Sequence, residues 1–109
     1  MIPVEIELDK TRQIKLTFLA MRKAEQKRGM GWMAMLSPEN NGADTLLTLL
    51  WAGLQKDDPT LTIEKLGVIL ETVADRDPDI GRTIDKAIAT AIETQGWIKL
   101  QEGDIKNPE

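Results

Sequence analysis

The chain predicts a mainly α fold, a small helical domain of four to five helices with a short N-terminal β-hairpin. Three observations carry that reading. Residues 4–18 alternate apolar and polar side chains with the period of a strand, and residues 44–92 repeat apolar side chains at helical spacing. Between the helical blocks stand residues that stop and restart helices, Asp58-Pro59 with Thr62 and then Asp77-Pro78. A chain of 109 residues has room for one modest core, so a single domain over 1–109 is expected, with the hairpin over 3–18, the helical part over 19–100 and a frayed tail over 101–109.

In the hairpin, Val4, Ile6 and Leu8 alternate with Glu5 and Glu7, which predicts a strand with one buried face. Asp9-Lys10-Thr11 supplies the turn, and Ile14, Leu16 and Phe18 resume the alternation against Gln13, Lys15 and Thr17. Two strands alone are marginal in water, so this hairpin must lean on the helices or on another chain. Its unpaired edge is a route to pairing with a second copy, and so to a homo-oligomer. Thr17 can also cap a helix running through Leu19, Met21 and Ala24 to Arg28, with Gly29 as its stop. The apolar stripe of that helix is thin.

Gly29–Leu36, GMGWMAML, sets Trp32 among methionines. One reading is a short helix or loop that plugs Trp32 and the Met side chains into the core. The other is an adaptable binding patch, because unbranched Met side chains repack against varied apolar partners. The turn-rich run Ser37–Gly42 that follows is expected to be a mobile loop.

The central helix is expected to run from a cap at Asp44 through Leu54 and Gln55. It gathers Leu46, Leu47, Leu50, Trp51 and Leu54 on one broad face, with Leu49 near the edge. Asp58, standing before Pro59, avoids helical geometry and ends it. Thr62 caps the next helix, where Glu64 suits the positive end of the dipole and Leu66, Ile69, Leu70 and Val73 form the stripe. Asp77 as cap and Pro78 at the first helical position open a third long helix. Its stripe is Ile80, Ile84, Ala87, Ile88, Ala91 and Ile92, and Gly96 ends it. Trp97-Ile98-Lys99-Leu100 reads as a short strand or an apolar tail folded back on the core.

The residue inventory argues against catalysis. There is no His and no Cys, and Ser37, the one serine, lies in a turn segment, so no nucleophile–base pair is in sight. Asp57-Asp58 and the run Asp75-Arg76-Asp77-Pro78-Asp79 offer carboxylates, but without the glycine, spacing and distal glutamate of a calcium loop. They read as turns and caps. GMGW has neither the preceding strand nor the following Lys and Ser/Thr of a phosphate loop. No enzyme activity, metal or cofactor is implied. A net charge of -4 argues against nucleic acid as the main ligand, and the basic run Arg22-Lys23 and Lys27-Arg28 reads as a solvated face. The acidic N-terminus lacks the apolar run of a secretory leader, and the apolar cluster around Leu46–Leu54 is too short to span a bilayer. A cytoplasmic protein that does not enter the membrane is expected.

Taken together, the N-terminal hairpin (IELDKTRQIKLTF), the helix ending in Glu25 to Gly29, and the block LLWAGLQKDDPTLTIEKLGVIL carry a family likeness. Across roughly residues 4–75 the chain resembles the small tail assembly chaperones of long-tailed bacteriophages and prophages. The most specific part is LLWAGL, then an acidic-Pro stop, then LT-x-E-x-L-G. GMGWMAM departs from the more polar stretch expected there. The resemblance implies a non-catalytic protein that binds the tape measure protein in the host cytoplasm, keeps it from aggregating and helps tail tube subunits assemble around it. It also implies a short form of a protein often made in a frameshifted longer one, absent from the finished virion. A small acidic module suits that task, since it can cover an apolar helical stripe and add charge. Trp32, Met33 and Met35, with Trp51, are the side chains expected to meet the client. Two other classes stay open, a head–tail or tail component that forms a ring and a small bacterial regulator that recognises a protein surface.

Overall fold

The computed structural model describes residues 1–98. It is mainly helical, with a two-stranded antiparallel hairpin at the N-terminus, as the pattern predicts. Strands β1 (Val4–Glu7) and β2 (Thr11–Ile14) pair with Val4 opposite Ile14 and Ile6 opposite Arg12. Ile6, Leu8, Ile14 and Leu16 are buried, so the alternation is obeyed through Leu16. Two features depart from it. Arg12 lies on the buried face, and Phe18, expected inward, is 84% exposed because the strand pattern stops at Thr17. Thr17 is extended, and its Oγ1 accepts the Ala20 N–H at 3.0 Å to cap helix α1 (Phe18–Arg28). A residue in the first helical position turns with the helix and not with the strand. Gly29 ends α1 in the left-handed region at φ 73°.

Helix α1 buries only small or slender side chains, Ala20, Met21 and Ala24, and packs along α3 (Ala43–Leu54). Arg28 ties the two together, donating to Thr45 Oγ1 at 3.2 Å and Asp44 Oδ2 at 3.1 Å. Between them lies the single turn α2 (Trp32–Met35), whose first N–H is received by Glu25 Oε2 at 2.8 Å. The segment expected to be a mobile loop contains a 3-10 turn over Pro38–Asn40. Asn40 Nδ2 donates to the Ala34 carbonyl there, and the Asn40 carbonyl accepts from Thr45 Oγ1.

Helix α3 is the centre of the fold, in contact with α1, α4, α5 and β2. Its boundaries and its face both differ from expectation. Gly42 holds the cap position and Asp44 sits in the first turn. The buried residues are Thr45, Thr48, Leu49, Leu50, Ala52, Gly53 and Leu54, while Leu46, Leu47 and Trp51 are half-buried. Leu49 therefore belongs to the core rather than its edge. Gly53 makes the tightest approach, since a Cβ there would lie 2.7 Å from Ile14 Cγ2. The Gly53 carbonyl also accepts the Lys15 N–H at 2.8 Å.

Thr62 caps α4 (Ile63–Arg76) as expected, its side chain accepting the Lys65 N–H at 3.1 Å. Leu66 and Val73 are buried, and Ile69 and Leu70 are half-buried. Helix α5 (Ile80–Thr94) begins later than Asp77-Pro78 suggests. Asp79 is its cap residue, and Asp77 closes α4 while its Oδ1 receives the Asp79 N–H. The α5 stripe is as read: Ile80, Ile84, Ala87, Ile88, Ala91 and Ile92 are all buried. Gly96, at φ 91°, turns the chain after α5, with Gly96 N–H bonded to Glu93 O and Trp97 N–H to Ile92 O. That double bond is the Schellman arrangement, which returns the next residue toward the helix. Trp97 thus folds back on the body of the protein, one of the two expected outcomes; Lys99, Leu100 and the tail expected over 101–109 lie outside the described residues.

Candidate functional site

Trp97 is fixed by the hairpin's open end. Its Nε1–H donates to the Leu16 carbonyl at 2.8 Å. Gln95, two residues before it, receives the Leu16 N–H on Oε1 at 2.7 Å and donates from Nε2 to the carbonyls of Ile14 and Ile2, each at 2.9 Å. Buried backbone groups need such partners, and here the end of α5 supplies them at the end of a hairpin that, among the described residues, has no third strand. With Trp97 held, Phe18 and Trp32 meet it edge to face, at centroid distances of 5.2 and 5.3 Å and interplanar angles of 71° and 64°. The chain has only four aromatic residues, three Trp and one Phe, so three of the four are gathered at one place.

This cluster is a surface. Trp32, Trp97 and Phe18 line a cleft of about 320 Å³ together with Met1. Met1, Phe18 and three direct chain neighbours of the aromatic residues, Leu19, Met33 and Ile98, are exposed large apolar side chains. Val68, on α4, is exposed on a different element. Apolar side chains concentrated in this way mark a protein-contacting surface more than a scattering of single ones would. Aromatic residues and Met suit such contacts because they offer large area at small entropic loss.

Of the residues the sequence puts forward, the structure brings Trp32 here and leaves Met33, its chain neighbour, exposed. Trp32 is half-buried against Trp97, and Met33 is 73% exposed. Met35 is a correction. At 1% exposure it belongs to the core and has no surface to offer a partner. The reason is the helical turn of α2, which sends Met33 and Met35 to different sides. The core reading of GMGWMAM holds for Met35, while Met33 is left at the surface. Trp51 lies elsewhere, on α3. It is half-buried, its Nε1–H donates to the Leu61 carbonyl at 2.8 Å, and the Lys27 ammonium stands 5.6 Å above its ring.

Phe18, Trp97 and Gln95 were not singled out by sequence reasoning. Thr17 is the signal that could have found Phe18, because a cap residue changes the period of everything after it. Gly96 was the equivalent signal for Trp97. Gln95 had none, because its partners are 79 to 93 positions away.

The charged groups near the hairpin turn have structural partners. Arg12, on the buried face, forks onto Asp9 at 2.8 and 3.0 Å and reaches Asp58 at 3.2 Å. The Arg12 guanidinium holds both carboxyls below their ordinary range, chiefly by these hydrogen bonds, and its own pKa is raised chiefly by the bond to Asp9. Lys15 pairs with Asp57 at 3.0 Å, so both members of Asp57-Asp58 serve as anchors for the hairpin. Among the described residues, no three His, Cys, Asp or Glu side chains are grouped to hold a metal ion, and no helix is long and apolar enough to cross a membrane. Comparison with protein-family models, with curated proteins and with solved structures finds no match for this chain.

Proposed function

We propose that this protein is a non-catalytic chaperone of phage tail assembly, binding an apolar-striped helical client, the tape measure protein, in the host cytoplasm and releasing it as tail tube subunits assemble. The observation that carries the reading is the aromatic cluster of Phe18, Trp32 and Trp97, in a cleft shared with exposed Met1. A client of this kind exposes a stripe of apolar side chains along a helix, and a ridged aromatic surface buries such a stripe without needing a fixed register. The net charge of -4 would keep the complex soluble once that stripe is covered. The sequence likeness over LLWAGL and its continuation supports the same family role. The ring-forming and regulatory alternatives have no feature of comparable weight.

The test is co-expression with the tape measure protein encoded nearby, followed by pull-down and measurement of the soluble fraction. The expected result is co-purification with rescued solubility, lost in Phe18→Ala. A client that stays insoluble and unbound beside folded wild-type protein overturns the proposal, as does recovery of this chain as a closed oligomer within purified virions.

A further inference from the structure

The apolar cluster continues into a second surface of different character. Phe18 and Leu19 form one wall of a cleft of about 460 Å³ between the start of α1 and the end of α3, and Lys23 and Lys56 stand on its rim. Lys23 also lines a neighbouring hollow of about 350 Å³ with Lys27 and Trp51. The two hollows share Lys23, so they run as one groove along the α1–α3 seam. The seam is basic on a protein whose net charge is -4. Glu25, the acid of α1, is engaged at the Trp32 N–H. Among the described residues Arg12, Lys15 and Arg28 carry the ion pairs, whereas Lys23, Lys27 and Lys56 make none. Lys23 rests on the Gln55 amide oxygen at 2.9 Å and Lys27 on the face of Trp51, contacts that position an ammonium without neutralising it.

We infer that the α1–α3 groove docks an acidic amphipathic helix of a partner protein. Its apolar face would fill the cleft beside Phe18 and Leu19, and its flanking carboxylates would meet Lys23, Lys27 and Lys56. The inference rests on the client-binding reading and names the chemistry of the client segment. Charge complementarity selects the occupant: unpaired ammonium groups beside an apolar floor favour a helix carrying Asp or Glu next to its apolar stripe and repel one carrying Lys or Arg. Repulsion between the remainder of this acidic chain and an acidic client would be offset locally by the seam, so binding should weaken with salt.

The test uses two synthetic amphipathic helical peptides, identical along a leucine face and flanked by glutamates in one and lysines in the other, titrated by fluorescence anisotropy. Three exposed ammonium–carboxylate contacts at the modest worth of surface pairs multiply to on the order of tenfold preference for the glutamate peptide. That preference should shrink at high salt and reverse toward the lysine peptide in K23E/K56E. Should this variant prove unfolded by circular dichroism, K23Q/K56Q should instead cut the preference to the part that Lys27 alone supplies. Equal binding of the two peptides, or a preference untouched by either variant, overturns the inference. So does a wild-type dimer that K23E/K56E dissociates, which assigns the groove to a second copy. Displacement of the peptide by a DNA duplex also overturns it, by assigning the lysines to phosphates. The two readings fail separately. Tape measure co-purification that survives K23E/K56E, with no peptide preference, removes the groove and leaves the client, whereas a peptide preference without co-purification removes that client and leaves the groove.

Discussion

The two ends of the hairpin are held by opposite means. At the turn, charge does the work: Arg12 binds Asp9 and Asp58, and Arg76 donates to the Leu8 carbonyl. At the open end one ion pair, Lys15 with Asp57, stands beside backbone partners that are neutral. Gln95 and Trp97 satisfy the backbone of Ile2, Ile14 and Leu16. The turn end consumes its strongest groups internally and leaves little for a partner. The open end satisfies its backbone with one side-chain amide and one indole N–H, and leaves the aromatic cluster of Phe18, Trp32 and Trp97 at the surface. A small domain can thus hold both ends of one element and yet expose an aromatic cluster at only one of them.

Four substitutions break or sharpen that contrast, beginning with the floor that both ends share. Leu50, fully buried in α3, should lose about 2–5 kcal/mol of stability on Leu50→Ala, read by denaturant unfolding. A loss below about 1 kcal/mol would mean that the surrounding core collapses onto the gap more readily than this packing allows. Next is the open end. Gln95→Ala leaves the buried Leu16 N–H without its acceptor and should cost about 1–3 kcal/mol, with a change in tryptophan fluorescence as Trp97 loosens.

The turn end is distinguished by its pH response. Asp9 and Asp58 have folded-state pKa values below the ordinary carboxylate range. A depressed folded pKa contributes stability that is present above the unfolded value of about 3.9 and lost as pH falls through the folded value. Thermal melts should therefore show Arg12→Met less stable than wild type at neutral pH, with the difference closing below about pH 4. The same closure should not appear for Gln95→Ala, whose lost contacts do not titrate. The smallest stability effect belongs to Phe18→Ala. Its side chain is 84% exposed, so the melt should move by no more than about 0.5 kcal/mol while client binding is lost. A large loss of stability would instead assign Phe18 to holding Trp97 in place.

How much was legible follows the range of the interaction. Helix α5 alternates isoleucine and alanine with charged residues, so its buried stripe could be read position by position, and it was. Helix α3, ADTLLTLLWAGL, is apolar nearly all round. Its sequence offers no contrast between faces, and the buried set turned out to include Thr45 and Thr48 in place of Leu46 and Leu47. Thr48 Oγ1 is buried and has no hydrogen-bond partner among the described residues, a polar atom no pattern would have placed there. Of the proposed contact residues on α2, Trp32 joins the aromatic cluster, Met33 is exposed and Met35 is buried, because exposure within one helical turn depends on what packs beside it.

Residue order by itself determined the helices, the hairpin and most of their ends. Caps and periodicity act between residues a few positions apart, as at Thr17, Gly29, Thr62 and Gly96, and those interactions survive whatever the rest of the chain does. Tertiary structure alone decided which faces meet. It turned Arg12 inward to two carboxylates and Phe18 outward, and it brought Trp97 from the far end of the chain to the hairpin through Gln95. It also gave Gly53 its role, since only the approach of Ile14 leaves no room there for a Cβ. These outcomes depend on partners distant in sequence, and the balance of burial and hydrogen bonding that selects them exists only once the elements have packed.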